Sequence, residues 1–317
     1  MAKLPDTTIF RELFNDAPFV DRYEREPENA VDIIIPVIHS NELFRSNLLS
    51  FYREIPVNRL LLGDGGVIDD TLKVASEFPR VEVLDHTRYH SQGYSIRKLI
   101  EAVETEWFIY LHADVYLPPG WFETMNRHRS EYDWFECPQC ITPLFEYMLE
   151  PKLDRSYSGS QMGRTSAFAD VLPRIDDDYL FRNEDIIIAS LVKGAGKRWG
   201  RVDDTFHYHQ VMNRRSKRKR QFTNVRFDIQ KTPEEDIWEY TNQIRGIIKY
   251  LKPDDYLIYG VQIGMDRLRE LDALDWEEFI PWVKQTNPAW LPYLHKTPPF
   301  KQRLRTLLKK WALRVLG

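Results

Sequence analysis

Trp107-Phe108-Ile109-Tyr110-Leu111-His112-Ala113-Asp114-Val115 is the stretch whose reading decides the fold. Its first five residues form an apolar run that predicts a buried strand. A carboxylate follows at the strand's end, where it is costly unless something pairs with it. In alternating α/β chains, ligands gather outside the carboxyl ends of the strands. Asp114 is therefore the first candidate for a metal-binding or phosphate-handling residue.

Working toward the N-terminus, the same alternation repeats. Asp32-Ile33-Ile34-Ile35-Pro36-Val37 predicts a strand rich in β-branched residues, and Asn41 can cap a following helix that carries Leu43, Phe44, Leu48 and Phe51. Leu60-Leu61-Leu62 predicts a second strand ending in Gly63-Asp64-Gly65-Gly66. Asp69 to Phe78 then predicts a helix, Val81 to Leu84 a third strand and Ser95 to Glu104 another helix. Strand, helix, strand repeated in this way demands parallel pairing with right-handed crossovers. The continuous apolar strands predict a sheet covered on both faces.

Toward the C-terminus the regularity weakens after Pro118. Trp134 to Cys137 reads as a strand, Gln161 to Phe168 as a short element, Glu184 to Gly194 as a helix and Val202 to His209 as a final strand. Arg214-Arg215-Ser216-Lys217-Arg218-Lys219-Arg220 then breaks the pattern, and the chain is helical and aromatic beyond it. The expected organisation is a leader over 1–30, an α/β domain over 31–212, a basic loop over 213–220 and a helical region over 221–317.

The 317 residues are 43% hydrophobic with a net charge of −4, a soluble globular balance that argues against a nucleic-acid partner. Neither a signal peptide nor an apolar run of about 18 residues is present, which fits a cytoplasmic location. The two cysteines, Cys137 and Cys140, are too few for a zinc site and predict buried structural thiols. The C-terminal stretch from Lys301 sets Leu304, Leu307, Leu308, Trp311 and Val315 against six bases with no acid. That pattern suits a helix lying on the inner face of an anionic membrane, docked on its own domain, or joining a second copy in a homo-oligomer.

Asp64 and Asp114 end parallel strands, so both lie on one rim of the sheet. Neither GxGxxG nor a Walker A loop is present. Two carboxylates without a phosphate-cradling loop suggest a base or ribose contact plus a hard divalent cation. Asp64 also reads as ordinary Gly-Asp-Gly-Gly turn chemistry. Glu184-Asp185 opens a helix, where acids complement the helix dipole or, facing a cleft, take a proton from a hydroxyl. His207 and His209 share a face if they lie on a strand, and imidazoles suit Mn²⁺.

In order and spacing, these motifs over Val31 to Gln210 resemble those of the GT-A glycosyltransferases, in particular glycosyltransferase family 2. The strand with Pro36 resembles the family's opening strand, and Asp64-Gly65 its base-contacting turn. Gly93 to Ala102, with Arg97, resembles the glycine-to-helix segment. His112-Ala113-Asp114 matches the DxD position, with His112 where the family has its first acid. Gly159 to Phe168, with Arg164, resembles the segment beside the donor sugar. Asn183-Glu184-Asp185 resembles the ED motif, and His207 or His209 a third metal ligand.

The resemblance implies a GT-A, Rossmann-like, mostly parallel sheet flanked by helices. It implies a UDP- or GDP-sugar donor, Mn²⁺ or Mg²⁺ held by Asp114 and a histidine, and Asp185 as the base in an inverting transfer to an acceptor hydroxyl; a glycan or a lipid-linked acceptor is expected, the latter because it would suit the C-terminal stretch from Lys301. Arg97, Arg164 and the basic run would add positive charge near the diphosphate. The run also reads as a solvated loop or as a lid over bound nucleotide. Two other classes share these residues: a nucleotidyltransferase on a similar sheet, and a non-catalytic sugar-nucleotide binder.

Overall fold

The computed structural model describes residues 18–19, 29–40, 43–143, 152–154, 159–176, 183–211, 233–256 and 258–294. The first half is the expected alternation: β1 (Val31–Val37), α1 (Phe44–Glu54), β2 (Val57–Asp64), α2 (Thr71–Ala75), β3 (Val81–Asp85), α3 (Gln92–Glu101) and β4 (Trp107–Leu111). It continues with β5 (Val115–Tyr116), α4 (Trp121–Arg127), β6 (Trp134–Glu136), β7 (Gln139–Pro143), β8 (Lys152–Asp154) and β9 (Ser160–Arg164). Then come α5 (Glu184–Gly194), β10 (Trp199–Arg201), β11 (His207–Val211), α6 (Pro233–Tyr250), α7 (Ile258–Glu270), α8 (Trp276–Thr286) and α9 (Leu291–Leu294).

Seven strands form one sheet in the order β10-β6-β9-β4-β1-β2-β3. β1 pairs parallel with both β2 and β4, and β2 with β3. The chain thus runs from β1 outward to β3 and crosses back over to β4. This puts a topological switch point between β1 and β4, where a crevice opens at the strand ends. β9 inserts antiparallel between β4 and β6, so the sheet is mixed, though mostly parallel.

Along β1 the side chains alternate between two cores. Ile34 joins Leu61, Phe108, Tyr110, Ile187 and Ile188 on one face. Ile33 and Ile35 join Leu60, Leu62, Ile109 and the α1 residues Phe44, Leu48 and Phe51 on the other. The C-terminal helices close the first face with Ile244, Ile247, Ile248, Val261, Met265 and Trp290. The helical region therefore shares the sheet's core. No helix among the described residues is long and apolar enough to cross a membrane.

Four local expectations need correction. The helix after β2 is one short element, Thr71–Ala75. α3 starts earlier than Ser95, because Ser91 caps it by accepting the Tyr94 N–H at 3.1 Å. β3 is an edge whose Val83 is exposed, so cover on both faces fails there. The strand expected over Val202 to His209 starts only at His207, as β11, and a separate strand, β10, ends before it at Arg201. β10 joins the large sheet, and β11 joins a second sheet of order β5-β11-β7-β8. Asn41, nearly all of the 1–30 leader, the basic loop and the 301–317 stretch lie outside the described residues. Phe19 of the leader meets Tyr52 and Phe78 edge-on.

Gly163 on β9 faces Phe108 and Trp134 on its two neighbours, and a Cβ there would lie 2.6 Å from the Trp134 ring and 2.8 Å from Phe108. Gly163→Ala should therefore destabilise the fold by about 1–3 kcal/mol through overpacking. Urea denaturation should show a lower midpoint with an unchanged slope; an unchanged midpoint would mean that the two rings yield freely.

Candidate active site

The second sheet abuts the crevice. Asp114 lies in the turn between β4 and β5, and β5 pairs antiparallel with β11 so that Val115 stands opposite His209. That pairing brings His209 Nε2 to 3.2 Å from Asp114 Oδ1. His209 Nδ1 donates to Gln139 Oε1 at 2.6 Å, which fixes the ring with Nε2 facing Asp114. The His112 ring stands 5.5 Å from that of His209. Among the described residues, His112, Asp114 and His209 can offer three ligand atoms within 4.8 Å of one another. Desolvation works against the Asp114 carboxylate, yet the His209 and His112 charges and the His209 hydrogen bond outweigh it and bring its pKa down to about 2.

Gly159, just before β9, shapes this cluster. Its carbonyl accepts the His112 N–H at 2.9 Å. Its φ of +90° is a left-handed value, and a Cβ would press within 3.3 Å of the His112 ring.

From His112 a chain of hydrogen bonds runs to the head of α5. His112 Nε2 meets the Tyr110 hydroxyl at 2.8 Å, and that hydroxyl donates to Glu184 Oε1 at 3.3 Å. Gln92, in the first turn of α3, donates to the same oxygen at 3.2 Å. Glu184 Oε1 lies 3.6 Å from His112 Nε2. Burial would lower the His112 pKa, but the nearby Glu184 carboxylate and the charges of Asp114 and Asp185 overcome it and raise the value. Glu184 and Asp185 are both buried at the start of α5. Asn183 precedes them in a left-handed conformation, with φ 62°.

The residues expected to meet the nucleotide base lie at the ends of β1 and β2. Pro36 stands opposite Gly63, and Asp64 follows it. Asp64 Oδ1 accepts the N–H groups of Gly66 and Val67 at 2.9 and 2.7 Å, so one carboxylate oxygen closes the turn. The Gly65 N–H donates to the Val37 carbonyl, and a Cβ at Gly65 would lie 2.8 Å from Ile38. The Ala113 carbonyl accepts from Asn47 at 2.8 Å, which ties the DxD-like turn to α1.

Three expected site residues are elsewhere. Arg164 pairs across the sheet with Trp107, at the opposite end of β4 from Leu111, and its guanidinium stacks on the Trp107 ring. Four residues of strand put it about 13 Å from the rim. Arg97 lies further along α3, where it holds Glu101 and the Ile175 carbonyl and lines a separate cavity of about 630 Å³ with Arg174 and Lys249. His207 shares the strand face with His209 but is buried one step inward, with Nδ1 2.7 Å from Ser160 Oγ and 3.6 Å from Cys137 Sγ. Cys137 and Cys140 are free and buried, and burial pushes each thiol up to about 11.

Sequence reasoning missed Gln92, Tyr110 and Glu136. In the sequence Tyr110 reads as a strand residue, although a tyrosine in an apolar run two positions before a histidine is a polar handle. Glu136 ends β6 across Gln161 from Tyr110. Its carboxyl is pushed up to about 7 by burial and by the charge of Asp185, against the pull of Arg201 at 3.3 Å.

Residues 32–133 match the family model Glycosyl transferase family 2. TarS of S. aureus (residues 1–349, in complex with UDP-GlcNAc) superposes with a TM-score of 0.50 at 13% identity, over 90% of this chain and 88% of that one. A second TarS 1–349 structure gives 0.47 at 12% identity over 84% and 89%, and 4-diphosphocytidyl-2C-methyl-D-erythritol synthase gives 0.41 at 16% over 56% and 90%. No curated protein sequence matches the chain significantly. The fold is thus GT-A-like, and the stretch from β1 to the edge of β6 is similar to the family 2 glycosyltransferases.

Proposed function

We propose that the protein transfers a sugar, with inversion, from a nucleotide-diphosphate sugar bound across the ends of β1, β2 and β4 to a hydroxyl of a glycan or lipid-linked acceptor. The observation that carries this reading is the hydrogen-bond chain from His112 through Tyr110 to Glu184. It joins the strand-end cluster to the helix that presents Asp185. The turn at Asp64-Gly65 is the base end of the donor, and the His112-Ala113 backbone is the ribose end.

The donor set suits a divalent cation. Two imidazoles and one carboxylate favour Mn²⁺ over Mg²⁺, which prefers oxygen ligands throughout. Asp114, His209 and His112 would hold it, with His207 outside the set. Such an ion would neutralise charge on the departing diphosphate. Gln139 orients His209 for the role.

Asp185 acts as the general base. It takes the proton from the acceptor hydroxyl as the oxygen bonds to the anomeric carbon, and the bond from that carbon to the diphosphate breaks on the opposite side. The nucleoside diphosphate leaves with the bonding pair. A UDP-sugar is the donor to test first, because UDP-GlcNAc is the ligand of the similarly folded TarS structure.

Thermal shift with UDP-, GDP-, ADP- and dTDP-sugars, with and without Mn²⁺, tests the donor. A ligand at a hundred times its Kd should add about 2.7 kcal/mol of stability. Asp114→Ala or His209→Ala should abolish the Mn²⁺-dependent part of the shift, while His207→Ala leaves most of it. Asp185→Asn should bind donor normally and lose transfer; a transfer-competent Asp185→Asn contradicts the assignment.

Glu136 reports on the same pocket. Its folded-state pKa is raised to about 7 from an ordinary 4.5. The protonated form is therefore favoured in the fold, and the stability it contributes is present below about 4.5 and is lost as pH rises through about 7. Thermal unfolding of Glu136→Gln between pH 4.5 and 8 should show a shallower decline than the wild type; parallel curves would mean that the carboxyl titrates normally.

A further inference from the structure

The head of α5 is held from outside the sheet. Asn183 adopts φ 62° and ψ 28°, and its side chain makes no capping bond to the helix that it precedes. Asparagine tolerates this left-handed region better than most residues, but something must hold it there. Its Oδ1 accepts the hydroxyl of Tyr256 at 3.1 Å.

Tyr256 belongs to the C-terminal region, just before α7. Its ring meets that of Trp290 edge-on, with centroids 6.5 Å apart. Trp290 is fully buried and donates Nε1 to the Leu251 carbonyl at 2.7 Å. Asn287 donates to the Ile248 and Leu251 carbonyls at 3.1 and 3.0 Å, so the end of α6 and the entry to Tyr256 are fixed together. The same region grips both sides of the Asn183 segment. The Tyr250 hydroxyl donates to the Arg174 carbonyl at 2.9 Å, and Ser190 Oγ donates to the Tyr250 carbonyl at 3.3 Å.

The Tyr256 hydroxyl is also within the field of the candidate base. Burial, then the charge of Asp185, push its pKa up to about 12, so it stays a proton donor across the neutral range. Among the described residues, Asn183 is one of three non-glycine positions with positive φ; the others are Arg80 and Asp272. Of these, only Asn183 adjoins the Glu184-Asp185 pair.

We propose that Tyr256 is a positioning residue for sugar transfer: its hydroxyl clamps Asn183 in the left-handed turn and thereby sets the direction in which Asp185 leaves the start of α5. The inference rests on Asp185 being the base. It gives the C-terminal helices a part in the chemistry beyond covering the core. Misplacing a base by a fraction of an ångström slows proton transfer without changing how the donor binds.

Tyr256→Phe keeps the ring against Trp290 and removes the hydroxyl. Asn183→Gly keeps the backbone angles accessible and removes the acceptor. Each should lower kcat about tenfold, the scale of one lost orienting hydrogen bond, with the donor KM unchanged and the protein fully folded at the assay temperature. The double variant should fall no further than either single one, because both remove the same contact. Asp185→Asn is measured alongside. If it is inactive while Tyr256→Phe keeps wild-type kcat, the positioning role is overturned and the base assignment stands. If the two losses multiply to about a hundredfold, or if the loss disappears when activity is measured well below the unfolding midpoint, the positioning role is likewise overturned. An active Asp185→Asn overturns both.

Discussion

The Glu184 carboxylate is buried at the start of a helix, and the rest of the site depends on how it is satisfied. An ionised group in that position needs several donors, since an unpaired one would cost more than any single contact returns. Gln92 from α3 and Tyr110 from β4 supply them, with His112 Nε2 at 3.6 Å. Three elements distant in sequence are thereby joined at one oxygen. The crevice between β1 and β4 acquires a wall, and Asp185, the next residue, acquires a fixed place along it. The helix dipole favours both acids in that first turn, so the local and long-range effects agree.

The second sheet completes the other side. β5 is only two residues long, yet its pairing with β11 brings His209 to Asp114. The polar groups then separate into two ends. His112, Asp114 and His209 form a donor set of imidazole and carboxylate, which our reading gives to the cation and diphosphate. Glu184, Asp185 and Glu136 form an acidic end, which the same reading gives to the acceptor. Tyr110 and His112 bridge them. This division is what a displacement at a sugar carbon requires, with leaving-group charge accommodated at one end and a proton removed at the other.

The four parallel strands and their helices were legible in the sequence because their signals are local. Ile33-Ile34-Ile35, Leu60-Leu61-Leu62 and the run ending at Leu111 each declare a buried strand, and the glycines and caps between them declare the turns. Asp114, Glu184 and Asp185 were legible for the same reason, as acids at predicted element ends. What was not legible depends on partners far along the chain. β9 inserts antiparallel between β4 and β6, and that register carries Arg164 to the wrong end of β4. His207 and His209 share a strand face, as two residues apart must, but only the packing of Ser160 and Cys137 shows which one is sealed inward. Glu136 and Tyr256 carry no motif. Their meaning arises only when the sheet and the C-terminal helices bring them beside Asp185 and Asn183.

The central claim is that the end of β4 and the start of β11 hold one cation beneath the donor diphosphate. Crystals grown with Mn²⁺ and a nucleoside diphosphate, measured at a wavelength where manganese scatters anomalously, test it most directly. The account predicts one strong anomalous peak within about 2.3 Å of a ring nitrogen of His209 and a carboxylate oxygen of Asp114, with the diphosphate on its open side. A nucleotide bound across the same strand ends with no peak there, or a peak held by other residues, would contradict it.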